Sequence, residues 1–360
     1  MMKKICLVDF DMSVRGGVEQ VTTVLSTALA DYYEVHVISL CMKRDLEYQL
    51  DERVRFTCLL GEEKRLREMR REAVPKLASY FRDNQIDTAI LQGNYAGFIA
   101  SGTRFHTKAK LIFCDHGALM NQWDRKDIVV IRWLASKLCH KTVTLTEQSC
   151  LDYRRKFHLR TSRVSHIYNW LETDVPHSEH YDVHSKRVVS AGRFSPEKGF
   201  DQLIHAFAPV AEKHPDWQMD IFGDGEMMDE VKHLIAHYNL ESSVNLMGMQ
   251  EDLSDRYKDY AMYVLPSHRE GLPLVLLEAK VNRLPIVSFD VLTGPREIIG
   301  DGIDGILVPP ENTKALGEAM CRLIEDENLR QRMSERSQEN LDKFSKKKIL
   351  NQWRELLDTI

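Results

Sequence analysis

The chain has no apolar run near the roughly 20 residues that span a bilayer, which excludes an integral helical membrane protein. It has no C-x-x-C pair. Its seven cysteines (Cys6, Cys41, Cys58, Cys114, Cys139, Cys150 and Cys321) are odd in number and scattered. That argues against a disulfide framework or a zinc ribbon and for a reducing, cytoplasmic compartment. G-x-G-x-x-G and the Walker phosphate loop are both missing, which disfavours a hydride-transfer enzyme and a P-loop nucleotidase. With 18 glycines and 11 prolines the chain is neither collagen-like nor low-complexity. The first apolar stretch, interrupted by Asp9, is too short for a signal peptide and reads as a buried strand.

What is present is enough for two domains: 360 residues, 43% of them hydrophobic. The net charge of −5 conceals an asymmetry. Residues 1–170 carry 27 Lys and Arg against 20 Asp and Glu, whereas residues 171–360 carry 22 against 34. Opposite charge in the two halves points to different partners. Short apolar runs predict strands at 4–10, 34–40, 88–92, 111–115, 142–146 and 164–168, and again at 187–191, 218–222, 244–247, 262–266, 286–289 and 305–308. Helical patterns lie between them, including 17–30, 199–213, 226–238 and 272–281. Continuous apolar strands alternating with helices imply an α/β fold with parallel sheets covered on both faces. The boundaries follow: a first domain over 1–170, a polar linker over 171–186, a second domain over 187–343, and a last helix over 344–360. The stripe Ile349, Leu350, Trp353, Leu356 and Leu357 is expected to return that helix to the first domain.

Ligands of open α/β sheets bind beyond the carboxyl ends of strands, so residues just after strands are the candidates. Arg193 and Lys198 lie on the loop after 187–191 and suit a diphosphate, Arg as a fork and Lys as a point charge. Glu270 follows the strand at 262–266. Gly271 and Leu272 would offer backbone N–H groups to an anion where Pro273 opens a helix. Glu278 is a carboxylate inside that otherwise apolar helix and needs a partner, either ligand hydroxyls or an internal salt bridge to Arg296. Gly16 and Gly17 follow the first strand and permit close backbone approach. His116, in Asp115-His116-Gly117, stands at another strand end and could donate to a substrate hydroxyl or stabilise developing charge. Gly223 and Gly225 suit a tight turn.

Together, Gly16-Gly17-Val18-Glu19, Asp115-His116-Gly117, Gly192-Arg193 with Glu197-Lys198-Gly199, Phe222-Gly223-Asp224-Gly225 and Glu270-x7-Glu278 resemble glycosyltransferase family 4 in order and spacing. The resemblance covers essentially the whole chain. It implies the GT-B architecture, two Rossmann-like domains facing a cleft. It also implies a retaining, metal-independent transferase using a nucleotide-sugar donor, with no bound cofactor. Arg193 and Lys198 would then hold the donor diphosphate, Glu270 the donor sugar and Glu278 the ribose hydroxyls. His116 would face the sugar, and Gly16 and Gly17 would line the phosphate and acceptor side. The segment 289–299 is similar to a bacterial surface-glycan subgroup, many of whose members use UDP-hexoses or UDP-N-acetylhexosamines. Family members often read Glu-Ala-Met with a glycine shortly after, whereas here the residues are Glu278-Ala279-Lys280-Val281-Asn282-Arg283.

Other features read as structural. Asp9-Phe10-Asp11 resembles a metal motif of a different transferase architecture but ends a strand. His177, His180 and His184, with Glu179 and Asp182, fit no zinc spacing. Residues 62–76 read as a solvated helix with Lys64–Glu68 and Glu72–Lys76 pairs. Residues 125–141 mix Arg132, Lys137 and Lys141 with Ile128, Ile131, Trp133 and Leu138. That mixture suits docking on the anionic inner face of a cell membrane, and family acceptors are often lipid-linked glycans. Nucleic acid is not an expected partner. Two alternatives stay open: an epimerase or phosphorylase of the same architecture, of which the epimerase would convert donor without acceptor, and a non-catalytic nucleotide-sugar-binding protein.

Overall fold

The computed structural model describes residues 2–170, 181–250 and 253–360. It divides into two compact units, Met1–Glu172 with Lys346–Ile360, and Thr173–Ser345. Most of the expected linker, including Pro176, His177, Glu179 and His180, lies outside the described residues.

The first unit holds seven strands: β1 (Lys4–Asp11), β2 (Glu34–Cys41), β3 (Arg55–Cys58), β4 (Thr88–Gln92), β5 (Lys110–Asp115), β6 (Lys141–Thr144) and β7 (Val164–His166). They form one sheet in the order β3-β2-β1-β4-β5-β6-β7, every pair parallel. The second unit holds β8 (Arg187–Ala191), β9 (Gln218–Phe222), β10 (Val244–Gly248), β11 (Met262–Leu265), β12 (Ile286–Phe289) and β13 (Gly305–Val308). Their order is β10-β9-β8-β11-β12-β13, again all parallel. Among the described residues no helix is long and apolar enough to cross a membrane.

The central strands are largely apolar because both sheet faces are covered. Alternate residues feed opposite faces: Ile5, Leu7, Val35 and Val37 enter one core, while Cys6, Val8, Ile38 and Leu40 enter the other. The last helix, Lys346–Thr359, closes the first of these faces with Ile349, Leu350, Trp353 and Leu357. It is fixed there by Lys3 Nζ donating to the Leu357 carbonyl and by Tyr33 donating to Asp358 at 2.9 Å.

Three details depart from expectation. β3 has no apolar run, since an edge strand pairs on one side and its residues are half-buried or exposed. β6 stops at Thr144 because Thr146 leaves the sheet to cap the next helix, its hydroxyl accepting from Ser149 N at 3.2 Å. The helix expected from Leu272 begins at Leu274, with Pro273 as its extended N-cap.

In both sheets the strand order reverses beside the first strand, between β1 and β4 and between β8 and β11. Loops leaving neighbouring carboxyl ends there run to opposite faces and open a crevice.

Candidate active site

In the second unit the loops after β8 and β11 flank the reversal point and are locked together. Gly199, at φ +65°, ends the turn Pro196–Lys198 and caps the helix Phe200–Lys213. A Cβ at Gly199 would lie 2.2 Å from the Pro266 carbonyl oxygen, so this approach of two backbones requires glycine. His268 N donates to the Glu197 carbonyl at 2.9 Å. The clamp sets Lys198 Nζ 2.7 Å from Glu270 Oε1, with Glu270 7% and Lys198 26% exposed. Arg193 stands exposed on the same loop as Lys198. Lys198 therefore pairs across the reversal point and not with its neighbour Glu197.

A third loop braces the first. Phe194 N donates to the Asp224 carbonyl at 2.9 Å, and Met227 N donates to the Phe194 carbonyl at 2.8 Å. A Cβ on Gly223 would meet the Gly192 carbonyl oxygen at 1.9 Å. The Phe222–Gly225 run is thus a packing turn. A fourth segment supports Glu270: Thr293 Oγ1 donates to the Glu270 carbonyl at 2.6 Å, and Gly294 packs on the Gly271 carbonyl and Pro273. Ser195 Oγ and Ser267 Oγ, buried in the two central loops, have no hydrogen-bond partner among the described residues.

Glu278 lies on the helix Leu274–Val281, which follows the Glu270 loop. Burial pushes its carboxyl above the usual carboxylate range, and Tyr257 donates to it at 3.5 Å. The internal ion pair considered for it does not form, because Arg296 pairs with Asp290. Among the described residues Glu278 has no cationic partner within 4 Å. Gly271 is half-buried and Leu272 buried at the mouth of this helix.

In the first unit, His116 follows β5 and donates from Nε2 to Gln92 Oε1, 2.7 Å away at the end of β4. Burial pushes its imidazole down to about 4, so it is neutral near pH 7. In this amide orientation its free ring atom is Nδ1, an acceptor. Gly16 is the N-cap of the helix Gly17–Leu29, and a Cβ there would strike the Glu19 carboxylate at 2.4 Å. That carboxylate lies over the helix N-terminus, while Gly17 faces open space.

Asp115 has a structural role. Tyr153 donates to it at 2.6 Å, and Arg132 Nε lies 3.1 Å away, both ions about 1% exposed. Arg132 is thus buried and removed from the expected membrane-facing set, as are Ile128 and Ile131. Lys64 pairs with Glu72 at 2.6 Å instead of Glu68, because it precedes the helix Leu66–Asp83 and is outside its i,i+4 register. Lys76 pairs with Glu72 as expected, at 3.0 Å. Asp9 and Asp11 accept from Thr22 and Ser13 and are buried. His184 is exposed. The buried pair of Lys280 with Asp304, 2.7 Å apart, was not anticipated from the sequence; a lysine within an apolar helix was its only signal.

Two family models match consecutive parts of the chain: "Glycosyltransferase Family 4" over residues 15–175 and "Glycosyl transferases group 1" over residues 176–340. An uncharacterized glycosyltransferase of Haemophilus influenzae is 29% identical over 357 residues, covering 99% of this chain and 100% of that protein. The amylovoran biosynthesis glycosyltransferase of Erwinia amylovora is 26% identical over 365 residues, covering 99% and 100%. The crystal structure of the Anabaena protein HepE in complex with UDP-glucose superposes with a TM-score of 0.83 at 19% identity, covering 99% of this chain and 100% of that one. The fold is that of the GT-B enzymes.

Proposed function

The chain belongs to the glycosyltransferases that join a family 4 domain to a group 1 domain, and on that premise we propose that it is a retaining, metal-independent transferase. Its donor is a UDP-linked hexose or N-acetylhexosamine. Its acceptor is a glycan or lipid-linked glycan of a surface polysaccharide. The observation that carries this reading is the Lys198–Glu270 pair at the reversal point of the second sheet, beside the helix that bears Glu278. A cation and two carboxylates in this order match a diphosphate, a sugar and a ribose.

In the proposed reaction the bond from the anomeric carbon to the diphosphate oxygen breaks, and the acceptor hydroxyl oxygen bonds to that carbon on the same face. The departing phosphate oxygen takes the acceptor proton, so no protein base is required. Lys198 turns from Glu270 to the diphosphate and, with Arg193 and the backbone N–H groups of Gly271 and Leu272, stabilises the leaving charge in place of a divalent cation. Glu270, released, accepts from a sugar hydroxyl. Glu278, already desolvated, accepts from the ribose hydroxyls. In the first unit His116 Nδ1 accepts from a sugar hydroxyl; of the two glycines only Gly17 presents open backbone, the Glu19 carboxylate standing over Gly16. The UDP-glucose complex of HepE and the polysaccharide role of the Erwinia relative support the donor and acceptor classes.

The test pairs a thermal-shift screen with a transfer assay. UDP and one UDP-sugar should raise the melting temperature, and Glu278→Ala and Lys198→Ala should abolish transfer while the protein stays folded. Wild-type transfer in either variant refutes the assignment. Donor epimerised without acceptor favours an epimerase.

We also propose docking on an anionic inner membrane face through the helix Lys126–Leu138. Lys126, Val130, Trp133 and Lys137 recur every three to four residues and share one exposed face, with Val130 58% and Trp133 45% exposed. Val130→Asp/Trp133→Asp should abolish salt-sensitive co-sedimentation with anionic vesicles, and unchanged binding would refute this face.

A further inference from the structure

The second unit contains a mixed cluster of ligating side chains remote in topology from the loops above. The helix Phe200–Lys213 ends at His214, whose N–H closes the helix on the Val210 carbonyl at 2.8 Å. The helix Thr313–Glu325 carries Cys321 and Glu325, four residues apart and therefore on one face. The two helices touch closely: a Cβ on Gly317 would lie 2.8 Å from the Ala206 carbonyl oxygen. This contact brings His214 Nε2 within 3.1 Å of Glu325 Oε1. One ligating atom from each of His214, Cys321 and Glu325 lies within 4.8 Å of the others.

We propose that His214, Cys321 and Glu325 form a binding site for a divalent cation of the zinc class. An imidazole nitrogen, a thiolate and a carboxylate are the ligand types Zn²⁺ takes, whereas Mg²⁺ and Ca²⁺ take oxygen. Ordinary zinc–ligand lengths at a tetrahedral centre place ligand atoms about 3.3–3.6 Å apart. The His214–Glu325 separation of 3.1 Å is already near that spacing, and the others, bounded at 4.8 Å, need to close by at most about 1.5 Å, within reach of side-chain rotation because Glu325 is half exposed. A groove of about 610 Å³, lined by Cys321 and Glu325 together with Lys213 and Glu318, reaches two of the three ligands and gives an entry path and room for water as fourth ligand. Thiolate and carboxylate together balance the ion's two charges. Lys213 Nζ now donates to Glu325 and acts as the resident counter-charge. Binding therefore displaces the Lys213 ammonium and releases the Cys321 proton.

His214 leads into the amino end of β9, while the Lys198 and Glu270 loops leave the carboxyl ends of β8 and β11. An ion here ties two helices together and takes no part in sugar transfer. The proposal is independent of the transferase reading.

Titration of the full chain with Co²⁺ alone tests it. The expected result is one equivalent bound with a thiolate-to-cobalt charge-transfer band, displaced by Zn²⁺. Cys321→Ser should lose the band, and His214→Ala should bind about tenfold more weakly or worse. Lys213→Met, which removes the competing ammonium, should bind several-fold more tightly. Cys58→Ser, which removes an exposed thiol elsewhere, should leave the band intact. No band, or a band that survives in Cys321→Ser, overturns the proposal. Should Cys321→Ser not fold, His214→Ala decides: affinity equal to that of the wild type overturns the site.

Discussion

Lys280 Nζ lies 2.7 Å from Asp304 Oδ2, and both side chains are almost wholly buried, 1% and 2% exposed. Lys280 also donates to the Ile298 carbonyl at 2.8 Å, and Gly300 N donates to Asp304 Oδ1 at 3.1 Å. The pair fixes the helix that carries Glu278 two residues earlier. It also shows how a lysine is accommodated within an otherwise apolar helix: both charges are matched and the spare protons are used. Breaking such a pair on one side leaves an uncompensated charge. Lys280→Met is expected to cost about 3–5 kcal/mol in denaturant unfolding. Lys280→Met with Asp304→Asn should recover most of that. A single variant as stable as the wild type would show that the pair does not anchor the helix.

The second departure in the same segment has a backbone cause. Arg283 sits at φ +59°, just past the C-cap Asn282. A side chain in this left-handed region costs about 1–2 kcal/mol, which glycine avoids, less its own entropic cost on folding. Arg283→Gly is expected to raise stability by about 0.5–1 kcal/mol. Thermal unfolding checks it, and a lower melting temperature would mean that the half-buried arginine contributes more than the strain removes.

These two positions also mark how far the sequence could be read. Val188, Val189, Val264 and Val287 announce buried parallel strands because their apolar character is local and continuous. Lys198 and Glu270 were readable as strand-end residues, since open α/β sheets place ligands there. Their contact was not, because 72 residues separate them and only the strand order brings the loops together. Arg132 misled for the same reason. Its local pattern is that of a basic amphipathic face, while its partner, Asp115, lies on β5. Local patterns record which element a residue belongs to. They do not record which element it meets.

The Lys198–Glu270 pair makes the two residues separable by experiment. If Lys198 leaves Glu270 for the diphosphate, then Lys198→Met should weaken UDP binding about tenfold or more. Glu270→Gln frees the ammonium from its competitor, so UDP should bind at least as tightly while sugar transfer falls. Isothermal titration with UDP, beside a transfer assay, distinguishes the two. A Glu270→Gln protein that loses UDP affinity as severely as Lys198→Met would mean that the pair holds the loop and is never exchanged.

His116 carries a pH signature with a defined sign. Its imidazole titrates at about 4 in the folded chain, lowered by burial from the ordinary 6.5. Between those values the unfolded chain binds the proton and the folded chain does not, so acid favours unfolding. The stability that this group supplies is whole above pH 6.5 and is lost as pH falls toward 4. Between pH 7 and pH 5 the loss is about 2 kcal/mol. His140 is lowered in the same direction by burial and adds a similar slope of its own. The His116 part is isolated by comparison with His116→Gln, which cannot take up a proton. The gap in unfolding free energy between wild type and variant should narrow, or move in the variant's favour, by about 2 kcal/mol on going from pH 7 to pH 5. A gap that stays constant would place the folded titration near 6.5 and require His116 to be solvated.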